Sequence, residues 1–313
     1  MKIRLGYACV SETLNITSST PYSYTSFKKE NDYDKLDKII KSNLHDLYEI
    51  LKYNNKNNIH FFRFSSALIP LATVKDIFFD YISKYKKYYE TISKYIKETN
   101  MRIDFHPDQF CVLNSTRKEV VENSIEILKY HYKILNALNI QNKILVLHIG
   151  SSTFGKEKSI QRFIYHFKNL DEKIKKCIAI ENDDKVFNVL DCLNISKKLN
   201  IPIVLDYHHH YCNNDDINLM DYIDEIFSTW KTQNPKIHFS SPKNKIKKEM
   251  RSHHDYIDSN TFIEFIDFIK HLPYDIDIMI EAKKKDEALF RLVRELKYKT
   301  NYIFLDDTTF IVK

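Results

Sequence analysis

The chain has 313 residues, of which 43% are hydrophobic, and its formal net charge is +6 at pH 7. This length suits two average domains or one large α/β barrel, and the apolar content is enough for one large core. The charge permits nucleic-acid binding but is too modest to demonstrate it. The longest apolar runs, such as residues 144–147, are far shorter than the roughly 18 residues of a membrane span, so we expect no membrane partner.

Two features of the sequence predict a cytoplasmic location. The N-terminus enters a strand-like pattern at once and has no apolar stretch followed by a small-residue cleavage site, so no export is expected. The cysteines lie far apart without a C-x-x-C pair, which is typical of reduced thiols rather than of disulfides or a zinc ribbon. They are Cys9, Cys111, Cys177, Cys192 and Cys212.

Short β-rich runs alternate along the chain with longer helical patterns. The runs cover residues 3–7, 59–64, 102–105, 144–148, 178–181, 203–206, 236–239 and 276–281. Between them apolar residues recur every three or four positions, as at Leu36, Ile40, Leu44 and Leu47. Because the sequence has no Pro/Ser-rich linker, it predicts one α/β domain over residues 1–313, a parallel (β/α)8 TIM barrel, with a doubly wound open sheet as the alternative.

The apolar run of nearly every predicted strand ends in a residue able to bind metal or phosphate. Active sites of α/β barrels lie at the carboxyl ends of the strands, where successive side chains converge on one mouth. This pattern therefore favours the barrel over the open sheet. In chain order the residues are Tyr7, Ser65, His106, His148, Glu181, Asp206, His238 and Glu281.

The imidazoles and carboxylates near these strand ends occur in the proportion that several divalent ions require. Taken singly, a histidine at a strand end is more often a hydrogen-bonded core residue, and a glutamate such as Glu181 is more often paired with a lysine. Burying so many ionisable groups at one mouth without a cation would be costly, so the ensemble favours metal. The candidate metal ligands are His106, His148, Glu181, Asp206, His209, His238, His253 and Glu281.

Spacing adds two expectations. Asp206 ends a strand, and His209, three residues later, can return over the same mouth. Lys236 and His238 share one face of their strand because side chains alternate with a period of two. For Lys236 three interpretations stay open: a salt bridge to Glu281 or Asp206, contact with a phosphate, or carboxylation into a ligand that bridges metal ions.

Taken jointly and in order, the strand-end motifs resemble those of the UV damage endonuclease family over about residues 1–300. The segments are LGYAC at residues 5–9, RFSS at 63–66, HPDQF at 106–110, HIG at 148–150, END at 181–183, DYHH at 206–209, KIHFSS at 236–241 and EAK at 281–283.

The resemblance implies a barrel related to endonuclease IV that holds up to three divalent ions, usually manganese, with zinc or magnesium as alternatives. The first ion would be held by His106, His148 and Glu181. Glu181 would bridge to a second ion, whose other ligands would be Asp206, His238 and Glu281. His209 and His253 would hold the third, although His254 beside His253 is an alternative ligand. Lys236 matches a lysine that is modified in this family.

The resemblance also assigns contacts to DNA. Gln109 and Phe110 match a pair that wedges into the duplex at the lesion, and Tyr7 matches a residue near the cleaved phosphate. Glu181, Lys236 and Tyr7 are thus the expected catalytic residues. Ser11 is a further expected DNA contact, at a position where family members tend to carry Asn. Family members also tend to carry a histidine near the position of Val74. The basic loop after the seventh strand should contact the DNA backbone through Lys243, Lys245, Lys247, Lys248 and Arg251.

The expected reaction is hydrolysis of a phosphodiester immediately 5′ of a cyclobutane pyrimidine dimer, a 6-4 photoproduct or an abasic site, which would initiate excision repair. The partner is damaged double-stranded DNA, and we expect a monomer with no obligate protein partner. One rival is a metal-dependent sugar isomerase or epimerase of the same barrel superfamily. The other is a non-catalytic lesion-binding protein.

Overall fold

The structure is a computed structural model that describes residues 1–244, 246 and 249–313. The strands are β1 (Lys2–Ala8), β2 (Phe61–Phe64), β3 (Arg102–Phe105), β4 (Leu145–His148), β5 (Ile178–Glu181), β6 (Ile203–Asp206), β7 (Lys236–Phe239), β8 (Ile276–Ile280), β9 (Ile303–Phe304) and β10 (Thr309–Ile311). The helices are α1 (Tyr24–Glu30), α2 (Tyr33–Lys56), α3 (Tyr81–Lys84), α4 (Lys86–Thr99), α5 (Lys118–Ala137), α6 (Lys156–Lys168), α7 (Glu172–Lys175), α8 (Val189–Leu199), α9 (Tyr207–Cys212), α10 (Ile223–Ser228), α11 (Ser259–Ile269) and α12 (Lys285–Lys299).

Strands β1 to β8 form a closed parallel barrel. Each strand pairs with the next in parallel, and β1 pairs in parallel with both β2 and β8, which closes the ring. The predicted (β/α)8 barrel is therefore confirmed, and the open sheet is excluded. Residues 59 and 60, which the sequence assigned to the second strand, precede β2.

A C-terminal hairpin that was not predicted from the sequence completes the sheet. Strand β10 pairs antiparallel with β1, with Lys2 opposite Ile311 and Arg4 opposite Thr309, and β9 pairs with β10. On that side of β1, strand β2 pairs only from Tyr7 onward. The hairpin thus occupies the stretch of β1 edge that would otherwise expose unpaired backbone groups.

Alternation along the strands separates two environments. On β5, Ile178 and Ile180 belong to the main core between the barrel and its helices, whereas Ala179 belongs to a separate small cluster with Val204 of β6. Successive strand residues point to opposite faces, so Glu181 shares the barrel-facing side with Ala179. The same period places the last residue of several strands inside the barrel at its carboxyl end.

Helices surround the barrel and bury one face each. In α2 the buried face includes Leu36, Ile40, Leu44 and Leu47, the spacing that the sequence predicts. None of the helices in the described residues is long and apolar enough to cross a membrane.

Candidate functional site

The predicted ligands converge at the carboxyl end of the barrel. His148 lies opposite Glu181 in the register of β4 and β5, and Asp206 lies opposite His238 in that of β6 and β7. His106 follows β3 and Glu281 follows β8, so both stand at the same rim.

Glu181 is the centre of this group. Its Oε2 accepts a hydrogen bond from Nε2 of His106 at 2.8 Å, and Nε2 of His148 lies 3.6 Å from the same oxygen. Its Oε1 accepts from Nδ1 of His238 at 2.7 Å and lies 3.7 Å from Nδ1 of His209. Burial would raise the pKa of Glu181, but the neighbouring imidazoles outweigh it and hold that pKa well below its ordinary value. Each oxygen of an ionised carboxylate therefore faces a different pair of imidazoles.

Asp206 fixes His209 through local helix geometry. Its Oδ1 caps α9 by accepting a hydrogen bond from the backbone N–H of His209 at 2.7 Å, which brings His209 back over the mouth. Asn182 holds Asp206 in turn, because its side chain exchanges two 2.9 Å hydrogen bonds with the backbone of Asp206.

Arg63 of β2 lies among the candidate ligands, beside Glu281 and His238. Its Nη1 is 2.6 Å from Oε1 of Glu281, and its Nη2 donates to Nε2 of His238 at 2.6 Å. The guanidinium is buried, so its charge offsets part of the negative charge of the carboxylates.

The donor set fits divalent ions. Among the described residues, three groups have one potential ligand atom per member within 4.8 Å of the others: His106, His148 and Glu181; Glu181, Asp206 and His209; and Asp206, His238 and Glu281. Oδ2 of Asp206 and Nδ1 of His148 are buried and have no hydrogen-bond partner among the described residues. A cation can satisfy such atoms, and mixed imidazole and carboxylate ligands suit zinc, manganese or related ions.

Without a cation, burial and the crowded carboxylates shift the pKa values of Asp206 and His209 away from the protonation states in which these residues bind metal. Burial, together with the charges of Glu181 and Glu281, raises the pKa of Asp206 to about 8. Burial would lower the pKa of His209, but the neighbouring carboxylates Asp206, Glu181 and Glu281 outweigh it and raise that pKa to about 9. A bound cation would favour the ionised form of Asp206 and the neutral form of His209, the forms in which both ligate metal.

The two adjacent histidines after β7 occupy different environments. The ring centroid of His253 lies 6.5 Å from that of His209, whereas the exposed His254 receives a hydrogen bond from the backbone of Tyr256 through its Nδ1. His253 is outside the three groups of close ligand atoms. Its position beside His209 favours His253 over His254 as a ligand.

Lys236 lies below the candidate ligands, inside the barrel. Its Nζ is 2.7 Å from Oδ2 of Asp104 on β3, and both side chains are fully buried. Asp104 was not among the partners expected for Lys236, which were Glu281 and Asp206. Burial, outweighing the attraction of Asp104, lowers the pKa of Lys236 to about 8. This position does not support direct contact between Lys236 and a phosphate.

Tyr7 and Ser11 are not brought to the surface of the mouth. Tyr7 is fully buried in the core outside the barrel, where its hydroxyl donates to Oδ1 of Asn54 at 2.7 Å. Ser11 is buried as well and donates to Oδ2 of Asp286 at 2.9 Å. Because both hydroxyls are enclosed, the structure does not support the expected contacts of Tyr7 and Ser11 with DNA.

Gln109 and Phe110 are exposed in the loop after β3. Phe110 is 69% exposed, and its backbone N–H donates to Oδ1 of Asp108 at 2.8 Å. This short turn directs the loop outward just after the candidate ligand His106. An aromatic ring in that position is available to a ligand and does not pack in the core.

The basic loop after β7 is partly neutralised by its own neighbours. Lys243 lies 3.1 Å from Glu249, and Arg251 lies 3.5 Å from Asp184, with both basic side chains about half exposed. Lys245, Lys247 and Lys248 lie outside the described residues. Backbone contacts between residues 241–242 and 253–254 fold this loop back toward the ligands.

Three residues of the site were not predicted from the sequence. Arg63 and Asn182 stand inside quoted motifs, next to strand ends, but neither is a metal-ligand type. Asp104 lies two residues before His106, and the period of a strand was enough to place it on the barrel-facing side. The strand pattern therefore indicated that Asp104 faces inward, but its partner Lys236 could be identified only when the barrel placed β7 opposite β3.

Solved structures with low sequence identity share the fold. Endonuclease IV from Thermus thermophilus has a TM-score of 0.55 at 12% identity, covering 95% of this chain and 100% of that chain. The 3-keto-D-glucoside 4-epimerase YcjR from E. coli has a TM-score of 0.57 at 10% identity, covering 95% and 99%. At such identities the likeness shows a common barrel and does not choose between their activities.

Closer relatives share one description. The UV DNA damage endonuclease of Bacillus cereus strain B4264 is 41% identical over 305 residues, which are 95% of each chain, and that of Bacillus anthracis strain A0248 is 39% identical over 305 residues, again 95% of each chain. The crystal structure of SacUVDE has a TM-score of 0.87 at 36% identity and covers 95% of this chain and 98% of that chain. A family model described as UV-endonuclease UvdE matches residues 3–305. The chain therefore belongs to the UV-endonuclease UvdE family.

Proposed function

We propose that this protein hydrolyses the DNA phosphodiester immediately 5′ of a UV lesion and leaves a 3′-hydroxyl and a 5′-phosphate. The observation that carries the proposal is Glu181, a buried carboxylate whose two oxygens face different imidazoles at the barrel mouth. Membership of the UvdE family supplies the substrate class, and the site supplies the chemistry.

We assign up to three manganese ions to this mouth, with Glu181 shared between the first two. Bound divalent ions would supply charge neutralisation on the phosphate and activation of the attacking water. The ligands proposed are His106, His148 and Glu181 for the first ion; Glu181, Asp206, His238 and Glu281 for the second; and His209 and His253 for the third.

The other residues of the mouth would position these ligands. Asn182 holds the backbone of Asp206, and Arg63 pairs with Glu281. Lys236 lies below the candidate ligands and binds Asp104 inside the barrel. We therefore propose Lys236 as a positioning residue that does not touch the substrate. Hydrogen-bonded partners of this kind typically contribute ten- to a hundredfold to metal affinity or activity.

Lesion selection would depend on DNA deformability and on the exposed loop after β3. A dimer stacks and pairs poorly, so extruding it costs less than the few kcal/mol required by an intact base. Phe110 would fill the gap by stacking, and Gln109 would contact the orphaned bases. The exposure of Phe110 supports this role.

The proposed partner is damaged double-stranded DNA, bound by a monomer that needs no other protein. Lys243 and Arg251, in the loop after β7, would contact phosphates once their weak surface ion pairs open. A DNA substrate implies work in the compartment that holds the genome, in keeping with the cytoplasmic location that the sequence predicts.

A panel of substrates tests the proposal against its rivals. Purified protein with manganese is incubated with duplexes carrying a cyclobutane dimer, a 6-4 photoproduct, an abasic site or no lesion, and separately with ketohexoses. Nicking confined to damaged duplexes supports the proposal. Epimerised sugar without nicked DNA would replace it with the isomerase hypothesis, and lesion binding without nicking would establish the non-catalytic one.

A further inference from the structure

Phe154, in the connection between β4 and α6, combines two features that the fold does not require. Its side chain is 74% exposed, and its backbone has a φ of +64°. The left-handed conformation is unfavourable for a bulky L-residue, and an exposed ring contributes little to the core. A strained and exposed aromatic residue beside a catalytic mouth indicates a role outside the fold.

The conformation of Phe154 is held in place by α6. The carbonyl oxygen of the preceding Thr153 accepts hydrogen bonds from Oγ of Ser159 at 3.2 Å and from Nη2 of Arg162 at 2.6 Å. Oγ of Ser159 also lies 2.9 Å from the carbonyl oxygen of the following Gly155, so its single hydrogen is shared between the two carbonyl oxygens. The Phe154 ring therefore projects from a turn whose backbone is held by hydrogen bonds from α6.

This turn is also joined to the loop that carries Phe110. The buried side chain of Asn114 donates to the carbonyl oxygen of Ser151 at 2.7 Å and accepts from its N–H at 2.8 Å, while Nε of Arg162 donates to the carbonyl oxygen of Asn114 at 2.8 Å. Gly150 permits this approach, since a Cβ there would lie 2.6 Å from Oδ1 of Asn114. Phe110 and Phe154 thus lie on two loops that are joined by hydrogen bonds.

We propose that Phe154 is a second aromatic contact for damaged DNA, stacking on a base that the lesion leaves unstacked beside the one engaged by Phe110. The proposal rests on the proposed function. Stacking of a base on an aromatic side chain tolerates any sequence, which suits a lesion-specific enzyme. Because hydrogen bonds already hold the backbone on both sides of Phe154, little backbone conformational entropy is lost on binding.

The substitution Phe154→Asn separates this role from a structural one. Asparagine tolerates the left-handed conformation, so the variant should unfold at the same or a higher denaturant concentration than wild type. Loss of the ring should raise the enzyme concentration for half-maximal single-turnover nicking of a dimer duplex roughly tenfold, with little change in the maximal rate. Phe154→Tyr, which keeps an aromatic ring, should have the wild-type half-maximal concentration.

Tyr298→Ala is the matched control. Tyr298 is 91% exposed in the last turn of α12, away from the mouth, so its loss should leave nicking unchanged. An unchanged half-maximal concentration for Phe154→Asn would overturn the inference, as would a clear loss of stability. A wild-type protein that neither binds nor nicks the duplex would refute the proposed function itself.

Discussion

Glu181 shows how one residue can organise a site. It is the last residue of β5, it is buried, and hydrogen bonds from His106 and His238 reach its two oxygens. The imidazoles keep it ionised against the cost of burial, which makes it able to share its charge between two cations.

The substitution Glu181→Gln keeps the shape and removes the charge. We expect nicking of a dimer duplex to fall at least about a hundredfold, because an amide cannot serve as a bridging anionic ligand. Thermal unfolding should still show one cooperative transition. The control is Glu126→Gln on the outer face of α5, which should keep the wild-type rate. A rate within a few-fold of wild type for Glu181→Gln would refute the assigned role.

His131 gives a prediction for stability against pH. It is buried in α5, with Nδ1 2.8 Å from the carbonyl oxygen of Ile127 and Nε2 3.0 Å from Oγ of Ser66, and burial lowers its pKa from 6.5 to about 4. The unfolded chain therefore takes up the proton first as the pH falls. The stability linked to neutral His131 is present above pH 6.5 and is lost between pH 6.5 and about 4, by up to roughly 3 kcal/mol.

Urea unfolding over this pH range measures the effect. In His131→Leu the unfolding free energy should be lower at pH 7, and its decline between pH 6.5 and about 4 should be shallower than in wild type. His271→Gln, at an exposed position, should keep the wild-type slope. Parallel slopes for wild type and His131→Leu would contradict the account.

At the scale of elements, asparagine takes over a role that glycine usually has. The chain has three glycines. Helices α1, α4 and α8 are each followed by an asparagine cap in the left-handed region, namely Asn31, Asn100 and Asn200. Asparagine tolerates that region better than most residues, so helices can end without glycine. Glycine stop signals are therefore scarce in the sequence and cannot mark where most of its helices end.

Lys231, shortly after α10, is in the left-handed region with a φ of +56° and lacks the tolerance of asparagine. Lys231→Gly should therefore stabilise the protein by up to about 1 kcal/mol. The same replacement at the exposed Lys133, one turn before the end of α5, should destabilise the protein by up to about 1 kcal/mol. Changes of the same sign in urea unfolding would contradict this explanation.

Sequence patterns predicted the positions of helices and strands better than they predicted the contacts of the loops. Asn114 and Ser115 precede α5 and are of residue types that commonly cap helices, but the helix begins after Arg117, and within the described chain no side chain caps it. Asn114 instead binds the backbone of Ser151 in the next βα connection. A cap can be inferred from neighbours in sequence, whereas a bond between two loops depends on the closed barrel.

At the scale of the whole molecule, charged residues run through the barrel interior. Arg4 and Arg102 share Asp277 near the amino ends of the strands, and Lys236 pairs with Asp104 in the layer below the ligands. Asp277, Asp104 and Lys236 are fully buried, whereas Arg4 and Arg102 are partly exposed, so the buried charges depend most on their partners.

The pair of Lys236 and Asp104 can be tested by a double-mutant cycle. Asp104→Asn should lower the free energy of unfolding by about 3–5 kcal/mol, because it leaves the Lys236 ammonium buried without a counter-charge. The double variant Asp104→Asn/Lys236→Met should lose less than the sum of the two single variants. Strictly additive losses would show that the two side chains do not depend on each other.

The sequence was sufficient for the barrel and for most of the mouth, since periodicity fixes which strand residue faces inward and the order of strands fixes which ends meet. It was not sufficient for groups whose partners come from distant strands, such as Arg63 with Glu281. Tyr7 illustrates the same limit: it is at the end of a strand, but it points to the helices and binds Asn54. One residue of register separates the two faces.

The most direct test of the central claim uses an end-labelled duplex with one cyclobutane dimer, incubated with the wild-type protein in manganese or in chelator. We predict a single nick immediately 5′ of the dimer that requires manganese and is absent from the undamaged duplex. A nick of equal rate in chelator would contradict the metal assignment, and equal cutting of undamaged DNA would contradict lesion-directed hydrolysis.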